Sequence, residues 1–271
     1  MEPLPPTRTV LYVPADNARA LAKAPTLGAD ALIIDLEDAV APAAKDAART
    51  AAGAFSAGIP YALRLNGTGT PWREGDEALA RRLGCPVVLP KVKCAADIAD
   101  ARLEQPVWPM METAAAILNA GEIAAAASAK GPSVMVLGAN DLAAELNLRP
   151  PFSPSLVLAR QTLVLAARAA GIRVVDAVTN AVTDTAAVEA DATAARAMGF
   201  HGKSIIHPAQ IAPVHAAFAP TAQEIAEARA VIAAVEAAEA EGRGVAVHNG
   251  QLVEALHADA ARRTLAEAGH G

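Results

Sequence analysis

Short apolar runs alternate with alanine-rich helical segments along most of the chain. Each run is nearly continuous in hydrophobic residues, which is typical of a strand buried on both faces of a parallel sheet. Strands that alternate with helices predict parallel pairing with right-handed crossovers. The eight runs lie at 9–14, 31–37, 61–66, 85–91, 106–112, 133–141, 172–178 and 202–208, and the helical segments include 42–57, 114–129, 154–170 and 184–198.

Eight such units predict an α/β protein that closes into a (β/α)8 TIM barrel. The same pattern is also compatible with an open, doubly wound sheet. The length of 271 residues suits the barrel, because this fold typically takes about 250 residues as one unit. Aromatic residues make up 3% of the chain, which favours helices packed on a parallel sheet over an aromatic-rich sandwich.

The C-terminal segment has a different pattern. Thr221 and Glu224 form a capping box that begins a long helix. Asn249-Gly250 between two short apolar runs predicts a hairpin, and a final helix is predicted over roughly 255–268. We therefore expect a barrel domain of residues 1–218 and a helical extension of residues 219–271, whose hairpin is a lid, an oligomer contact or both.

Composition limits the expected partners and compartment. The formal net charge is −6 and there is no basic run, so nucleic acid is not an expected partner. Cys85 and Cys94 do not make a disulfide framework. No apolar run reaches the ~18 residues of a membrane span, and the first residues lack a secretory signal pattern. We expect a cytoplasmic protein that does not bind membranes.

Polar residues cluster where the predicted strands end. In a parallel barrel, the C-terminal ends of the strands surround the active-site mouth. Ionisable side chains are rarely buried unless they are paired, so a ring of them indicates a polar ligand. This ring comprises Asp35, Glu37, Asp38, Arg64, Asn66, Lys91, Glu112, Asn140, Asp141, Asp176, Lys203 and His207.

Glu112 and Asp141 are the best candidates for metal ligands in this ring. Proteins usually hold Mg²⁺ with one or two carboxylates, while waters and substrate complete the octahedron. No Cys/His spacing in the chain suits zinc. Alternatively, the two acids only cap the helices that follow them, since acids favour helix N-termini.

Arg64 and Lys91 each have two interpretations. Arg64 either forms a structural ion pair with Glu37 or Asp38, or binds a substrate carboxylate or a developing oxyanion. An arginine within an apolar strand is costly to bury without a purpose, which favours the second role. Lys91 is either a Schiff-base lysine at a strand end or a neutralising partner for the acids.

Longer stretches resemble the citrate lyase beta-subunit-like family, with its malyl-CoA, citramalyl-CoA and citryl-CoA lyase relatives in the 2-oxo-acid aldolase superfamily. The resemblance covers nearly the whole chain in the family's order, and the pairing of "DLEDAV" with "GKSIIHPAQ" is specific. Other matching stretches are "LYVPADNARALAKA", "ALRLN", "VLPKV", "METAAAILNAGEIA" and "LGANDLAAELN".

The resemblance implies a Mg²⁺-dependent carbon–carbon lyase that cleaves a hydroxy-dicarboxylic acyl-CoA, such as malyl-, citramalyl- or citryl-CoA, into a 2-oxo acid and an acyl-CoA. The alternatives are hydrolysis of the thioester, malate-synthase-like condensation, or binding of oxo acid and coenzyme A without turnover. The family also implies a homotrimer or hexamer that shares its tail hairpins. The resemblance implies that Glu112 and Asp141 bind the metal and that Arg64 binds the acid moiety. Glu37 and Asp38 are implied to line the same mouth. Lys91 and Lys23 are implied to bind the substrate, with Lys23 at the coenzyme A phosphates.

Two motifs depart from the family pattern. Many relatives use a hairpin aspartate from a neighbouring subunit as the base, within a pattern close to "DGKMID.P". Here the hairpin reads "NGQLVEAL", which puts Asn249 at the first aspartate and Glu254 at the key position. We expect Glu254 to be the base, with one more methylene of reach. Ala15 and Asn17 replace a glycine and an arginine that are usual near the thioester.

Overall fold

The structure, a computed structural model, describes residues 7–56, 58–100, 103–149 and 153–269. Eight parallel strands form a closed barrel in which each strand pairs with its neighbours in chain order and β8 returns to β1. The predicted (β/α)8 fold is therefore confirmed, and the open-sheet alternative is wrong. Within the described residues, none of the helices has the length and apolar character that a membrane crossing requires.

Each predicted apolar run contains one barrel strand. The first strand matches its run, and the other seven are shorter than theirs because residues at one or both ends of each run belong to the loops. The strands are β1 (Thr9–Pro14), β2 (Ala31–Asp35), β3 (Tyr61–Arg64), β4 (Val87–Leu89), β5 (Val107–Met111), β6 (Val134–Leu137), β7 (Arg173–Asp176) and β8 (Gly202–Ile205).

Helices follow the strands and cover the outside of the barrel. Short 3-10 turns precede three of them, so the α-helices of the predicted segments 42–57 and 154–170 start three residues later than the sequence pattern predicts. Those of the barrel are α1 (Ala18–Lys23), α2 (Lys45–Ala54), α3 (Arg73–Leu83), α4 (Ala95–Asp100), α5 (Ala114–Leu118), α6 (Ala120–Ala129), α7 (Ala139–Glu145), α8 (Val157–Ala170), α9 (Thr185–Met198) and α10 (Ile211–Phe218).

The barrel interior is filled by small and branched side chains from alternating strand positions. Val10, Ile33, Val88 and Val136 are completely buried there, and Trp108 is nearly so. Branched residues suit this position because they pack well on a pleated surface and fill a small barrel without leaving a pore. Because the interior is filled with apolar side chains, the candidate polar site residues lie at the ends of the strands.

The barrel closes where β8 meets β1, with Thr9 opposite Lys203. Gly202 makes this closure possible, because a Cβ there would lie 1.8 Å from the carbonyl oxygen of Thr7. At the same seam, the backbone N–H of Lys203 donates a hydrogen bond to the carbonyl oxygen of Arg8 at 2.8 Å. Only glycine fits at this point of the eighth strand.

The chain separates into two compact units between Ala217 and Phe218. The second unit has its own apolar cluster, which includes Val235, Val253 and Ala258. Its hairpin turns at Asn249-Gly250, and the predicted hairpin is confirmed: both residues have positive φ, 49° and 75°, as a two-residue turn of this kind requires. The elements are α11 (Ala222–Ala240), β9 (Ala246–His248), β10 (Gln251–Val253) and α12 (Ala255–Ala268).

Candidate active site at the barrel mouth

Arg64 is the last residue of β3 and is held by a carboxylate on the neighbouring strand. Its Nε lies 2.7 Å from Oδ1 of Asp35, and its Nη2 lies 2.5 Å from Oδ2. Asp35 ends β2 directly opposite Arg64 in the strand register. Such a two-point pair fixes both the position and the plane of the guanidinium. Asp35, a member of the predicted ring, is thus the principal partner of Arg64 rather than Glu37 or Asp38.

The rest of the Arg64 guanidinium faces the mouth. Its Nη1 lies 2.9 Å from Oε2 of Glu37 and 3.4 Å from Oδ2 of Asp38. The guanidinium also sits over the ring of Tyr12, with 5.2 Å between the guanidinium carbon and the ring centroid. Tyr12 is a site residue that the sequence analysis missed, because a tyrosine within an apolar run is usually part of the core. The structure brings the carboxylates of Asp35, Glu37 and Asp38 together around the buried guanidinium of Arg64.

Glu37 is a buried carboxyl group beside Arg64. Burial raises its pKa to about 8 against the attraction of Arg64, and repulsion from Asp38 and Glu112 adds to the rise. A carboxyl group with a pKa near neutrality can hold a proton and release it during a reaction. Asp35 fixes the loop that carries Glu37, since its Oδ1 accepts a hydrogen bond from the backbone N–H of Glu37 at 2.8 Å.

Glu112 follows β5 and is almost completely buried, at 1% exposure. Its Oε1 accepts a hydrogen bond from the backbone N–H of Lys91 at 2.7 Å, whereas its Oε2 has no hydrogen-bond partner. Gly138 makes room for this carboxylate: a Cβ there would lie 2.7 Å from Oε2 of Glu112. Burial raises the pKa of Glu112 to about 7, although Lys91 opposes the shift.

Asp141 lies in the first turn of α7, after β6. Lys91 joins it to Glu112, because the Lys91 ammonium donates a hydrogen bond to Oδ1 of Asp141 and lies 3.6 Å from Oε1 of Glu112. The two predicted metal ligands therefore flank one positive charge. Neither caps the following helix: Thr113 caps α5 through its side chain, and Gly138 is the N-cap of α7.

Lys91 acts in this structure as the neutralising partner that the sequence analysis considered. Burial lowers its pKa, but the hydrogen bond to Asp141 and the charge of Glu112 outweigh burial, so its pKa is raised overall. A raised pKa keeps the amine protonated, which is the opposite of what a Schiff-base lysine needs.

The donor set of this mouth fits a hard divalent cation. No group of three His, Cys, Asp or Glu side chains in the described part of the chain is arranged to hold a metal. Mg²⁺ needs fewer protein ligands than that, since it keeps several waters and prefers oxygen. The buried, unpartnered Oε2 of Glu112 next to the Asp141 carboxylate supplies such oxygens. An unpartnered buried carboxylate oxygen is costly, and a cation would remove that cost.

Two cavities open at the mouth. The smaller, about 310 Å³, is lined by Arg64 and Asp141 and by the apolar side chains of Tyr12, Met110 and Val178. It combines convergent polar groups with an apolar wall, as sites for small organic acids do. The larger, about 680 Å³, lies beside it and shares Asp38 with it. We call them the reaction chamber and the side chamber.

Two predicted site residues are not among those that line the two chambers. Lys23 is exposed at the end of α1 and lines neither chamber. Glu254 belongs to the second unit, where it precedes α12 and its backbone N–H donates to Nδ1 of His257 at 3.1 Å. The roles of Lys23 at coenzyme A and of Glu254 as the base stay predictions.

Asp176 and Lys203, also members of the predicted ring, form a separate buried network. Lys203 Nζ lies 3.1 Å from Asp176 and 2.7 Å from Asp191. Arg160 of α8 pairs with Asp176 at 2.6 Å. Because every charge in this group has a partner of opposite sign, the network links β7, β8, α8 and α9 rather than facing the reaction chamber.

Fold and site together define the class: a (β/α)8-barrel protein whose strand ends gather carboxylates and a fixed arginine around one mouth. The chain belongs to the HpcH/HpaI aldolase/citrate lyase family, whose model matches residues 8–208. The resemblance to citrate lyase beta-like proteins is thereby confirmed.

Individual relatives cover nearly the whole chain. A (3S)-malyl-CoA thioesterase of Cereibacter sphaeroides is 45% identical over 97% of this chain and 95% of that protein. A citrate lyase subunit beta-like protein of Deinococcus radiodurans is 35% identical over 91% of this chain and 92% of that protein. The crystal structure of the CitE protein of Mycobacterium tuberculosis with magnesium, acetoacetate and coenzyme A matches with a TM-score of 0.84 and 34% identity, over 97% of this chain and 98% of that one.

Proposed function

We propose that this protein is a Mg²⁺-dependent enzyme that hydrolyses the thioester of a hydroxy-dicarboxylic acyl-CoA of the malyl-CoA type. The observation that carries the proposal is the pair Glu112 and Asp141, with an unpartnered buried oxygen, in the same mouth as the fixed guanidinium of Arg64. The choice of reaction is supported by the 45% identity to a (3S)-malyl-CoA thioesterase. The sequence alone favours carbon–carbon cleavage, and this similarity moves hydrolysis ahead of it.

Glu112 and Asp141 would hold the Mg²⁺, and crystal structures of the CitE relative contain magnesium. When bound there, Mg²⁺ supplies Lewis-acid polarisation of the hydroxy-acid end of the substrate. The cost of burying Glu112 would then be offset by a permanent positive charge at its free oxygen.

The protein's own groups orient the substrate and move a proton. Arg64, fixed by Asp35, presents Nη1 to the mouth and would bind a carboxylate or an oxyanion there. Glu37 holds a proton near neutral pH and is placed beside that guanidinium. Glu254 remains our candidate for the base that takes a proton from the attacking water. In hydrolysis the carbon–sulfur bond breaks, and coenzyme A leaves as the free thiol together with a dicarboxylic acid.

Carbon–carbon cleavage of the same substrate is the second candidate. It is favoured by the citrate lyase beta relatives and by the CitE structure that contains acetoacetate and coenzyme A. Here the base would take the proton of the substrate hydroxyl, and the bond between the hydroxyl-bearing carbon and the carbon next to the thioester carbonyl would break. The latter carbon would keep the electron pair and take up a proton. The products would be an oxo acid and a shorter acyl-CoA, with no free thiol released.

A product assay with malyl-CoA separates the two reactions. We expect a thiol reagent to detect stoichiometric free coenzyme A and a carbonyl reagent to detect no oxo acid. Oxo acid without thiol would make the enzyme a lyase and contradict our proposal. Binding of malyl-CoA with neither product would make the protein a binding module. Glu254→Gln should reduce turnover strongly and leave Mg²⁺ binding within about twofold if Glu254 is the base.

The metal site is tested by calorimetry on Asp141→Asn. We expect this variant to lose Mg²⁺ binding and turnover while its thermal unfolding stays close to that of the wild type, because Asp141 is partly exposed. Asp46→Asn, which alters an exposed carboxylate on α2, is the matched control and should bind Mg²⁺ normally. Unchanged Mg²⁺ affinity in Asp141→Asn would remove the basis of the proposed site.

A further inference from the structure

The Lys91 side chain lies in the space between the two carboxylates that we expect to hold the cation. Its ammonium donates a hydrogen bond to Asp141 and lies 3.6 Å from Oε1 of Glu112, while its backbone N–H donates to the same Glu112 oxygen at 2.7 Å. Two donors of one residue thus hold both carboxylates. An ammonium in this position and a divalent cation compete for the negative charge of the same two carboxylates.

The backbone of Lys91 adopts an unusual conformation that supports both contacts. Its φ is 56°, in the left-handed region that residues with a Cβ seldom adopt. This conformation is unfavourable for such a residue and persists where surrounding contacts impose it. Here it directs the backbone N–H to Glu112 while the side chain reaches Asp141.

The side chain of Lys91 has room to move away from the two carboxylates into the side chamber. It is 39% exposed and lines the side chamber of about 680 Å³, together with Lys93, Thr70 and Asp97. Rotation of its flexible four-carbon stem would carry the ammonium into that chamber without opening the core. The backbone contact to Glu112 would remain, since it does not involve the ammonium.

We propose that Lys91 is an internal counter-ion that holds Glu112 and Asp141 together in the metal-free protein, that Mg²⁺ displaces its ammonium, and that the displaced ammonium then faces the side chamber as a binding group for an anionic part of the substrate. The inference rests on the proposed Mg²⁺ site. It makes Lys91 a positioning residue that sets the affinity of the protein for its metal.

The test is Mg²⁺ titration by calorimetry without any thioester present. Lys91→Met removes the competing charge and keeps the length of the stem, so we expect Mg²⁺ to bind at least tenfold more tightly than to the wild type. Lys93→Met is the matched control, because Lys93 lines the same side chamber and its side chain is exposed. The Mg²⁺ affinity of this variant should stay within about twofold of that of the wild type.

Thermal unfolding provides a second readout. Without Mg²⁺, Lys91→Met leaves Glu112 and Asp141 to repel each other, so its melting temperature should fall below that of the wild type. Saturating Mg²⁺ should then raise the melting temperature of Lys91→Met by more than that of the wild type, because the wild type already has the Lys91 ammonium as a counter-ion for the two carboxylates. Lys91→Gln serves the same purpose if the methionine variant does not fold.

Two results would overturn the inference. If the wild type binds Mg²⁺ and Lys91→Met binds it equally or more weakly, the ammonium is not a competitor, and the proposed metal site stands without it. If neither protein binds Mg²⁺, the proposed metal site is itself wrong and the inference falls with it. Calorimetry on Asp141→Asn distinguishes loss of the metal site from loss of Lys91 alone.

Discussion

His201, which immediately precedes β8, illustrates how one side chain ties stability to pH. Its Nδ1 accepts a hydrogen bond from the backbone N–H of Val174 at 3.1 Å, which requires the neutral ring. Burial lowers its pKa from 6.5 to about 4, and Arg168 and Arg173 add repulsion. The unfolded chain therefore binds a proton at a higher pH than the folded chain does.

This shift predicts a loss of stability between pH 6.5 and about 4. Above that window the imidazole is neutral in both states, and within it the unfolded state gains the proton first, so the free energy of unfolding falls as pH falls. His201→Gln should remove on the order of 2 kcal/mol of that fall. Denaturant titrations at several pH values check this, and parallel pH profiles for the two proteins would contradict it.

At the residue scale, the sequence identified the carboxylates but not all of their partners. The proximity of Glu112 and Asp141 followed from the strand ends, because consecutive parallel strands deliver their C-terminal residues to one mouth. The pairing of Arg64 with Asp35 depended on the β2–β3 register, which the sequence does not display. The position of Lys91 depended on a positive φ at a residue with a Cβ, for which no sequence pattern exists.

At the scale of elements, the eight strands were predicted because continuous apolar runs are typical of buried parallel strands. The predicted helix over 114–129 is divided: α5 ends at Leu118 and α6 begins at Ala120. Asn119 separates them and donates its side-chain amide to the carbonyl oxygen of Lys93 at 2.9 Å. Alanine-rich sequence has high helix propensity on both sides, and the contact made by Asn119 coincides with the break.

The network around Lys203 leads to a prediction about four elements together. Its ammonium contacts Asp176, Asp191 and the carbonyl oxygen of Ala177 and is almost completely buried. Lys203→Met would leave the two carboxylates of Asp176 and Asp191 with one positive partner fewer inside the protein. We expect a loss of about 3 kcal/mol in the free energy of unfolding, measured with denaturant.

Two further variants control this experiment. Lys93→Met changes an exposed lysine and should leave the free energy of unfolding nearly unchanged. Adding Asp191→Asn to Lys203→Met should restore part of the loss, because it removes one of the carboxylates left without the ammonium. Equal stability of Lys203→Met and the wild type would mean that the network contributes nothing to holding β7 and β8.

At the scale of the whole molecule, the hairpin of the second unit carries an exposed apolar pair. Val247 and Leu252 face each other across the hairpin and are 72% and 58% exposed. Exposed apolar pairs of this kind are typical of contact surfaces between chains. They agree with the trimer or hexamer that the family resemblance implies, which stays a prediction.

Light scattering tests this prediction. We expect the wild type to have the mass of a trimer or hexamer, and Val247→Asp combined with Leu252→Asp to shift the mass towards the monomer, because burying two carboxylates in a contact is unfavourable. Gln251→Asp, on the other face of β10, should keep the wild-type mass. A monomeric wild type, or an unchanged mass in the double variant, would contradict the expectation.

The seam closed by Gly202 also orders the events of synthesis. β1 is made first, yet one of its edges is paired only by β8, so Thr9 meets Lys203 after almost the whole barrel has been translated. Until then the nascent chain exposes an apolar strand edge, which is the kind of surface that recruits unwanted strands or chaperones. The first of the eight barrel strands to be synthesised is therefore among the last to be fully enclosed, and any side chain at Gly202 would keep that edge open.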